Sequence, residues 1–259
     1  DYAYAGSFYA FCIWIGLGVL FLAQQLERIR MPRWLAATLA GIVCLGVPAL
    51  MAQQNWDDHD RSGRYVARDF GHNYLASLRP NAVIFTNGDN DTFPLWYNQE
   101  VEGNGSDDRV CNLSYLQTDW YIDQMCRPYY ESAALPISWT RAQYSSSKNE
   151  YTRMQDFIHE PISVRDAFDW MLSDDPATKI NDDESVIPSR QLYIDVDRDA
   201  VLNSPAFTTV DSTGNAVCRF DSTQIADRVM TRYGDQKSGL TRSEMMVLDM
   251  LQTNGWQRP

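Results

Sequence analysis

The segment Thr86-Asn-Gly-Asp-Asn-Asp-Thr92 holds the densest group of side chains that could do chemistry. Two carboxylates, Asp89 and Asp91, and two amides, Asn87 and Asn90, could together hold a sugar or a cation. Asn, Gly and Asp are also the residues that any tight turn and helix cap require, so a purely structural role is the alternative. Because the glycine pattern is neither a P-loop nor a dinucleotide fingerprint, we expect no cofactor.

Aromatic side chains flank this turn on two expected helices. Trp96 and Tyr97 lie on the first helix, and Trp120 and Tyr121 lie on the second. Such rings can stack on sugar rings, but they more often fill a helix–sheet core, which is the interpretation we favour. We take as ligand-binding candidates Asn87, Asp89, Asn90, Asp91, Trp96, Asp119 and Trp120.

Two other acidic clusters are weaker candidates for a catalytic or metal-binding site. Asp57-Asp58-His59-Asp60 has ligand types that suit a hard cation, but four consecutive helical residues point in different directions, which favours a solvated cluster. Metal-dependent phosphoryl transfer by this cluster with Asp89 and Asp91 is therefore a minor alternative. Asp182-Asp183-Glu184 lacks the spacing of a calcium loop and is interpreted as a solvated loop. We expect no metal site.

The elements around the turn follow the order helix, strand, helix, strand, helix. Pro94 is expected in the first turn of the second helix, with Asn90 or Asp91 as its cap. Strands and helices that alternate at this spacing indicate a parallel α/β unit, which binds ligands at the carboxyl ends of its strands. The elements are helix 64–78, strand 82–86, helix 92–101, strand 109–113 and helix 118–126, capped by Thr118.

The remaining sequence gives weaker patterns. We predict a helix over 163–172, a polar acidic connector over 174–189, a strand over 191–196 and a helix over 223–233 that ends at Gly234. The capping box Thr241-Arg-Ser-Glu244 predicts a helix over 245–251. Outside the first 56 residues lie Cys111, Cys126 and Cys218, which we expect to be free buried thiols rather than a disulfide.

Charge is distributed very unevenly along the chain. The whole sequence has 34 acidic and 22 basic residues, a net charge of −12, which argues against a nucleic-acid partner. Residues 2–56, however, hold only Glu27, Arg28, Arg30 and Arg33. The uncharged runs on either side of this cluster are long enough to cross a bilayer, so we predict two transmembrane helices and the lipid bilayer as a partner.

The arginines of the connector 24–33 place it in the cytoplasm by the positive-inside rule. The acidic region after about residue 53 then lies outside the cytoplasm, which is the periplasm in a cell with two membranes. The expected fold is two transmembrane α-helices followed by an α/β soluble domain with a small, mainly parallel, Rossmann-like sheet. We divide the chain into spans at 1–53, an α/β unit at 54–140 and a continuation at 141–259.

Several long motifs resemble a known family of multi-pass bacterial membrane proteins. These motifs are Asn55-Trp-Asp-Asp-His-Asp-Arg-Ser-Gly-Arg-Tyr65, Gly88-Asp-Asn-Asp-Thr-Phe-Pro-Leu-Trp-Tyr97, Asn112-Leu-Ser-Tyr-Leu-Gln-Thr-Asp-Trp-Tyr-Ile-Asp-Gln-Met125, Leu135-Pro-Ile-Ser-Trp139, Leu248-Asp-Met-Leu251 and Trp256-Gln-Arg-Pro259. They are similar to domain of unknown function 2723, also classed as glycosyltransferase family 117, whose members are related to an animal protein O-mannosyltransferase. Because the chain lacks an initiator Met and begins almost within a span, we interpret it as the C-terminal part of such a protein, truncated at both ends.

The resemblance implies an integral-membrane glycosyltransferase of the inner membrane that uses a polyprenyl-phosphate-linked sugar and an extracytoplasmic protein or glycan acceptor. In such enzymes an acidic residue of an early extracytoplasmic loop acts on the acceptor hydroxyl, and that loop would precede residue 1. No catalytic residue is therefore assigned here, and the soluble domain is expected to assist acceptor binding or stability. The alternative is a non-catalytic, membrane-anchored binding or assembly module.

Overall fold

Two long apolar helices form the amino-terminal unit of the computed structural model, which describes residues 2–181 and 184–259. Helix α1 spans Ala5–Arg28 and helix α2 spans Arg33–His59, and both are long and apolar enough to cross a membrane. The two helices contact each other, and Ala36 and Ala40, one turn apart on α2, are fully buried. Small side chains at these positions permit close approach of the helix backbones.

The second unit, Tyr65–Pro259, is a mixed α/β domain. Its elements are α3 (Val66–Ala76), β1 (Val83–Thr86), α4 (Asp89–Tyr97), β2 (Arg109–Asn112), α5 (Asp119–Met125), α6 (Arg141–Tyr144), β3 (Tyr151–Met154), β4 (Ile162–Ser163), α7 (Val164–Leu172), β5 (Lys179–Ile180), β6 (Glu184–Ile187), β7 (Gln191–Asp195), α8 (Arg198–Asn203), β8 (Thr208–Val210), β9 (Ala216–Cys218), β10 (Arg228–Arg232), β11 (Gly239–Thr241) and α9 (Arg242–Thr253).

The expected parallel unit is present, but a mainly parallel Rossmann-like sheet is wrong. β1 and β2 pair in parallel, with Val83 opposite Arg109 and Thr86 opposite Asn112, and form a sheet of two strands. The other sheets mix both directions or are antiparallel: their strand orders are β10-β7-β4, β11-β3-β6-β5 and β8-β9.

A side chain from α5 limits the parallel sheet to two strands. The hydroxyl of Tyr121 accepts a hydrogen bond from the Asn112 N–H (2.9 Å) and approaches the Val110 carbonyl oxygen (3.4 Å). These backbone groups belong to the edge of β2 that faces away from β1, where a third strand would pair. Tyr121 itself is fully buried, so this edge is closed within the domain.

Two predictions in the second half of the domain are wrong. The helix over 223–233 is absent: only Ser222–Gln224 forms a 3-10 turn, and β10 follows and pairs with β7. The polar connector 174–189 contains the hairpin of β5 and β6, in which Val186 and Ile187 are fully buried. Asp182 and Asp183 of the expected acidic loop lie outside the described residues, and Glu184 begins β6 rather than continuing a loop.

The core of the domain lies where α5, α7 and α9 pack against the sheets, with Ile122, Met171 and Met245 fully buried. The predicted helix at 163–172 and strand at 191–196 are present as α7 and β7, and the capping box of Thr241 and Glu244 begins α9 as predicted. All five cysteines are free; of the three in this unit only Cys111 is buried, because Cys126 is exposed and Cys218 half-buried. The expectation that all three would be buried is therefore wrong.

Two acidic side chains hold the loop before β2 to the start of β1. Asp107 accepts a hydrogen bond from the Asn81 N–H (2.8 Å), and the buried Asp108 accepts one from the Ala82 N–H (2.9 Å). Burial raises the pKa of Asp108 to about 6, and the charge of Asp107 adds to the shift, while the bond from Ala82 opposes it. The Asp108 carboxyl group therefore links the loop before β2 to the start of β1. Its buried position disfavours the ionised form of the group.

We predict a pH-dependent effect of Asp108→Asn. The folded chain keeps the Asp108 proton up to about pH 6, whereas an unfolded Asp releases it near pH 4. The stability that this proton brings is complete below about pH 4 and is lost as the pH rises through 6. The free energy of unfolding of Asp108→Asn, relative to the unsubstituted chain, should therefore rise by up to about 2 kcal/mol between pH 4 and 7. Denaturant titrations at each pH measure it, with exposed Asp174→Asn as the control; a flat difference would contradict the assignment.

Candidate functional site

A buried hydrogen-bond network joins the carboxyl ends of β1 and β2 to the first turn of α4. The hydroxyls of Thr86 and Thr92 are 2.7 Å apart, and the side-chain amide of Asn112 donates to Thr92 Oγ1 at 2.8 Å. All three residues are buried. Because unpaired polar groups are costly in the interior, this closed network fixes the position of α4 relative to both strands.

Asn112 also organises the segment that follows β2. Its side-chain oxygen accepts hydrogen bonds from the backbone N–H groups of Ser114 (2.8 Å) and Tyr115 (3.1 Å). The resulting turn directs the 3-10 segment Tyr115–Gln117 back toward α4. The conformation of Tyr115 thus depends on a side chain three residues earlier.

Helix α4 begins earlier than the sequence pattern predicts. Its N-cap is Gly88, not Asn90 or Asp91, and no side chain caps it. Gly88 has a φ of 98°, in the left-handed region that glycine adopts without strain. Asp89 and Asp91 consequently lie in the first turn, where the helix dipole favours negative charge, and Pro94 lies inside the helix rather than in its first turn.

The functional candidate of the domain is a surface group that we call the aromatic–acid cluster: Asp89, Phe93, Trp96, Tyr115 and Trp120. The Tyr115 hydroxyl donates to Asp89 Oδ1 at 2.7 Å, and this bond raises the pKa of Tyr115. The Tyr115 ring stacks on Trp96 with 6.2 Å between centroids and lies 6.0 Å from Trp120. Phe93 extends the row at 5.7 Å from Trp96.

The cluster presents both apolar faces and hydrogen-bonding groups to solvent. Trp120 is 53% exposed and Phe93 is 49% exposed, although large aromatic side chains are usually more buried. Asp89 is exposed beside them, as are Asn90 and Asp91 in the same first turn of α4. The cluster therefore offers apolar rings with a carboxylate acceptor at their edge.

The structure brings together only part of the predicted set. Asp89, Trp96 and Trp120 belong to the cluster, and Asp119 lies next to it, where its Oδ1 accepts from the Trp120 N–H at 2.8 Å. The side chains of Asn87, Asn90 and Asp91 are exposed and make no hydrogen bond to any residue that the structure describes.

The expectation that the four aromatic residues of α4 and α5 fill the core holds in part. Tyr121 is fully buried and Trp96 is partly buried against the core. Trp120 and Tyr97 are exposed, and the Tyr97 hydroxyl donates to Glu102 (3.1 Å), which corrects the expectation for these two residues. The reason is that α5 directs Tyr121 and Ile122 inward, which leaves Trp120 on the outer face.

Sequence reasoning missed Asn112, Tyr115 and Phe93. A polar residue directly after the apolar pair Val110-Cys111 is the one local signal for Asn112, because a buried strand end needs side-chain partners for its backbone. Tyr115 carries no such signal, since its partner Asp89 is 26 residues away.

Within residues 2–181 and 184–259, no group of three His, Cys, Asp or Glu side chains is placed to hold a metal ion. The cluster Asp57–Asp60, in the other unit, is exposed on and after the end of α2. There the His59 Nδ1 lies 2.9 Å from the Asn55 carbonyl oxygen, and Asp60 accepts from the Ser62 N–H.

Comparison with known families gives one match. Residues 67–259 match the model of the family described as TMEM260-associated domain 2. No curated protein matches the chain, and no solved structure matches it either. The matched residues include all of the aromatic–acid cluster.

We predict that Asn112→Ala lowers the free energy of unfolding by about 2–4 kcal/mol. The substitution removes the amide that donates to Thr92 and the oxygen that accepts from the partly buried N–H groups of Ser114 and Tyr115. Each backbone N–H left without a partner costs about 1–3 kcal/mol. Denaturant-induced unfolding followed by near-UV circular dichroism measures the change. Asn90→Ala is the matched control, because the exposed Asn90 side chain has no partner among the described residues; equal effects of the two substitutions would disprove the role of the network.

Proposed function

The chain belongs to the family described as TMEM260-associated domain 2, and from this premise we propose that it is the C-terminal portion of an integral-membrane glycosyltransferase. The enzyme transfers a sugar from a polyprenyl-phosphate donor to an extracytoplasmic protein or glycan. Its second unit, Tyr65–Pro259, binds the acceptor at the aromatic–acid cluster. The reaction class rests on the resemblance of the motifs at 55–65, 88–97 and 112–125 to glycosyltransferase family 117.

The observation that carries the proposal is a row of aromatic rings, with Phe93 and Trp120 exposed at its ends, beside an oriented carboxylate. Trp96, Tyr115 and Trp120 form a row of rings, and the hydrogen bond from Tyr115 holds one oxygen of Asp89. The second oxygen, Oδ2, accepts no hydrogen bond from the residues that the structure describes. Sugars have apolar C–H faces and hydroxyl rims, and this surface offers a partner to each.

The exposure of the cluster favours binding over catalysis. Acid–base catalysis and charge stabilisation gain most in enclosed sites from which water is excluded. Asp89 instead lies on an open surface, where water screens its charge. This division fits the expectation that the catalytic acid belongs to an early extracytoplasmic loop that precedes residue 1.

The topology supports the same arrangement. Arg28 ends α1, Arg33 begins α2 and Arg30 lies in the connector between them, and Arg33 pairs with Glu27 at 3.5 Å. By the positive-inside rule the connector faces the cytoplasm, so the end of α2 and the unit that follows it emerge on the extracytoplasmic side. We propose the inner membrane as the location, with the second unit in the periplasm.

A non-catalytic, membrane-anchored binding or assembly module remains the second candidate. It is favoured by the same exposure of Asp89 and Trp120, because a surface that only recognises a glycan needs no enclosed base. The two candidates differ in whether transfer from a lipid-linked sugar depends on the cluster.

We predict that Trp120→Ala and Asp89→Asn each weaken sugar binding by about 2–10-fold, the range expected for one ring or one hydrogen-bonded contact. Binding of methyl glucoside, methyl galactoside and methyl mannoside to the intact chain in lipid nanodiscs is measured by ligand-observed NMR. Tyr97→Ala is the control, because Tyr97 is an exposed ring of α4 whose hydroxyl bonds to Glu102, outside the cluster. Equal binding by all three variants and the unsubstituted chain would remove the cluster from the proposal.

A transfer assay distinguishes the glycosyltransferase from the non-catalytic module. The assay uses the longest protein that contains this chain. With a polyprenyl-phosphate sugar as donor, the enzyme should show a raised KM for acceptor in Asp89→Asn. Hydrolysis of the donor should be unchanged in the same variant. An absence of transfer with any donor, combined with intact glycoside binding, would favour the module.

We predict that the connector and the second unit are labelled on opposite sides of the membrane. Cysteines are introduced at Arg30 and, separately, at the exposed loop residue Asp174, both in a Cys126→Ser background that removes an exposed native thiol. In a bacterial host with two membranes, an impermeant maleimide should label position 174 in intact cells and position 30 only after the inner membrane is permeabilised. The reverse pattern would overturn the proposed orientation.

A further inference from the structure

A cavity of about 370 Å³ lies on β2 between the end of α4 and α5, beyond the aromatic–acid cluster. Its volume is within the range of small-molecule sites, about 300–1,000 Å³. We call it the Arg109 cavity. It is lined by apolar groups from Trp96, Val110 and Met125 and by the polar side chains of Arg109, Glu100 and Gln124.

The Arg109 guanidinium is buried in this cavity without an acidic partner. Arg109 is 4% exposed, and its Nη2 donates to the carbonyl oxygens of Arg127 (2.8 Å) and Ala133 (3.0 Å), while Nε donates to Ser132 Oγ (3.3 Å). Nη1 makes no hydrogen bond to any residue that the structure describes. Nη1 is not fully sealed from solvent, and Arg109 lines the cavity.

The acidic groups near the cavity do not neutralise this charge. Glu100 and Asp108 both line it, but neither forms an ion pair with Arg109 within 4.0 Å. The Glu100 carboxylate instead accepts hydrogen bonds from the hydroxyls of Tyr129 (2.7 Å) and Tyr130 (2.6 Å), and Asp108 accepts from the Ala82 N–H.

A second arginine contacts the same residues, with Asp107 and Asp108 near its own charge. The Nη2 of Arg258 donates to Ser132 Oγ (2.7 Å), the same oxygen that Arg109 contacts, and its Nη1 donates to the Ala133 carbonyl oxygen (3.0 Å). Two guanidinium groups therefore converge on residues 132–133. A buried cation is normally paired, because burial without a partner is costly.

We propose that the Arg109 cavity binds a singly charged oxyanion, a carboxylate or a phosphodiester, carried on an apolar body. The anion bonds to Nη1 of Arg109, and the apolar body lies against Trp96, Val110 and Met125. Glu100 at the same cavity excludes a second negative charge, which selects singly charged groups over phosphate monoesters. This site is separate from glycan binding, and its presence does not depend on the glycosyltransferase proposal.

Calorimetric titration of the intact 259-residue chain in lipid nanodiscs tests the proposal, with empty nanodiscs as the blank. The probes are hexanoate and dibutyl phosphate, with hexanol and hexylamine as the neutral and cationic counterparts. A charge-assisted hydrogen bond should make at least one anion bind about tenfold or more tightly than hexanol. Whichever of the two anions binds more tightly shows whether a carboxylate or a phosphodiester is the preferred group.

Variants assign the binding to Arg109. Arg109→Gln should weaken binding of the anion about tenfold or more and leave hexanol unchanged. Arg109→Gln also alters the buried hydrogen bonds of Arg109. Two conservative substitutions at other residues of the cavity therefore test the charge and leave the Arg109 hydrogen bonds in place. Glu100→Gln should tighten anion binding and Gln124→Glu should weaken it, each by roughly threefold to fivefold. Equal binding of hexanoate, dibutyl phosphate and hexanol, or anion binding that none of the three variants alters, would overturn the proposal.

Discussion

The side chain of Asn112 is the point through which the parallel unit and its surface are held together. Its amide donates to Thr92 on α4, its oxygen accepts from the turn that carries Tyr115, and its backbone N–H donates to Tyr121 on α5. Three elements that are separate in sequence are thus fixed to one strand end. Buried networks are cooperative, so the geometry of the aromatic–acid cluster on the surface depends on bonds that lie beneath it.

The same contacts explain why the sheet stops at two strands. The Tyr121 hydroxyl occupies backbone groups that a third strand would need, so α5 packs beside β2 where further strands continue the sheet in larger α/β folds. The Arg109 cavity is lined by β2, by the end of α4 and by α5, and it shares Trp96 with the aromatic–acid cluster.

Elements formed by local interactions could be predicted from the sequence, whereas those formed by distant pairing could not. The capping box of Thr241 and Glu244 is contained within four residues, and the predicted helix over 64–78 is present as α3. In contrast, β10 has its pairing partner β7 more than 30 residues earlier, and that pairing overrides the helical pattern over 223–233. The site follows the same rule: composition indicates Asp89, Trp96 and Trp120, but the contact of Tyr115 with Asp89 exists only in the folded chain.

The aromatic–acid cluster and the Arg109 cavity differ in dielectric environment. Charges on an open surface are screened by water and ions, so Asp89 contributes direction and hydrogen bonding more than binding energy. Arg109 is enclosed, and a charge in an enclosed site interacts far more strongly with an opposite charge. Under the two proposals, the exposed cluster would distinguish ligands by shape and by hydroxyl positions, whereas the Arg109 cavity would distinguish them by charge, so each site would reject ligands that the other accepts.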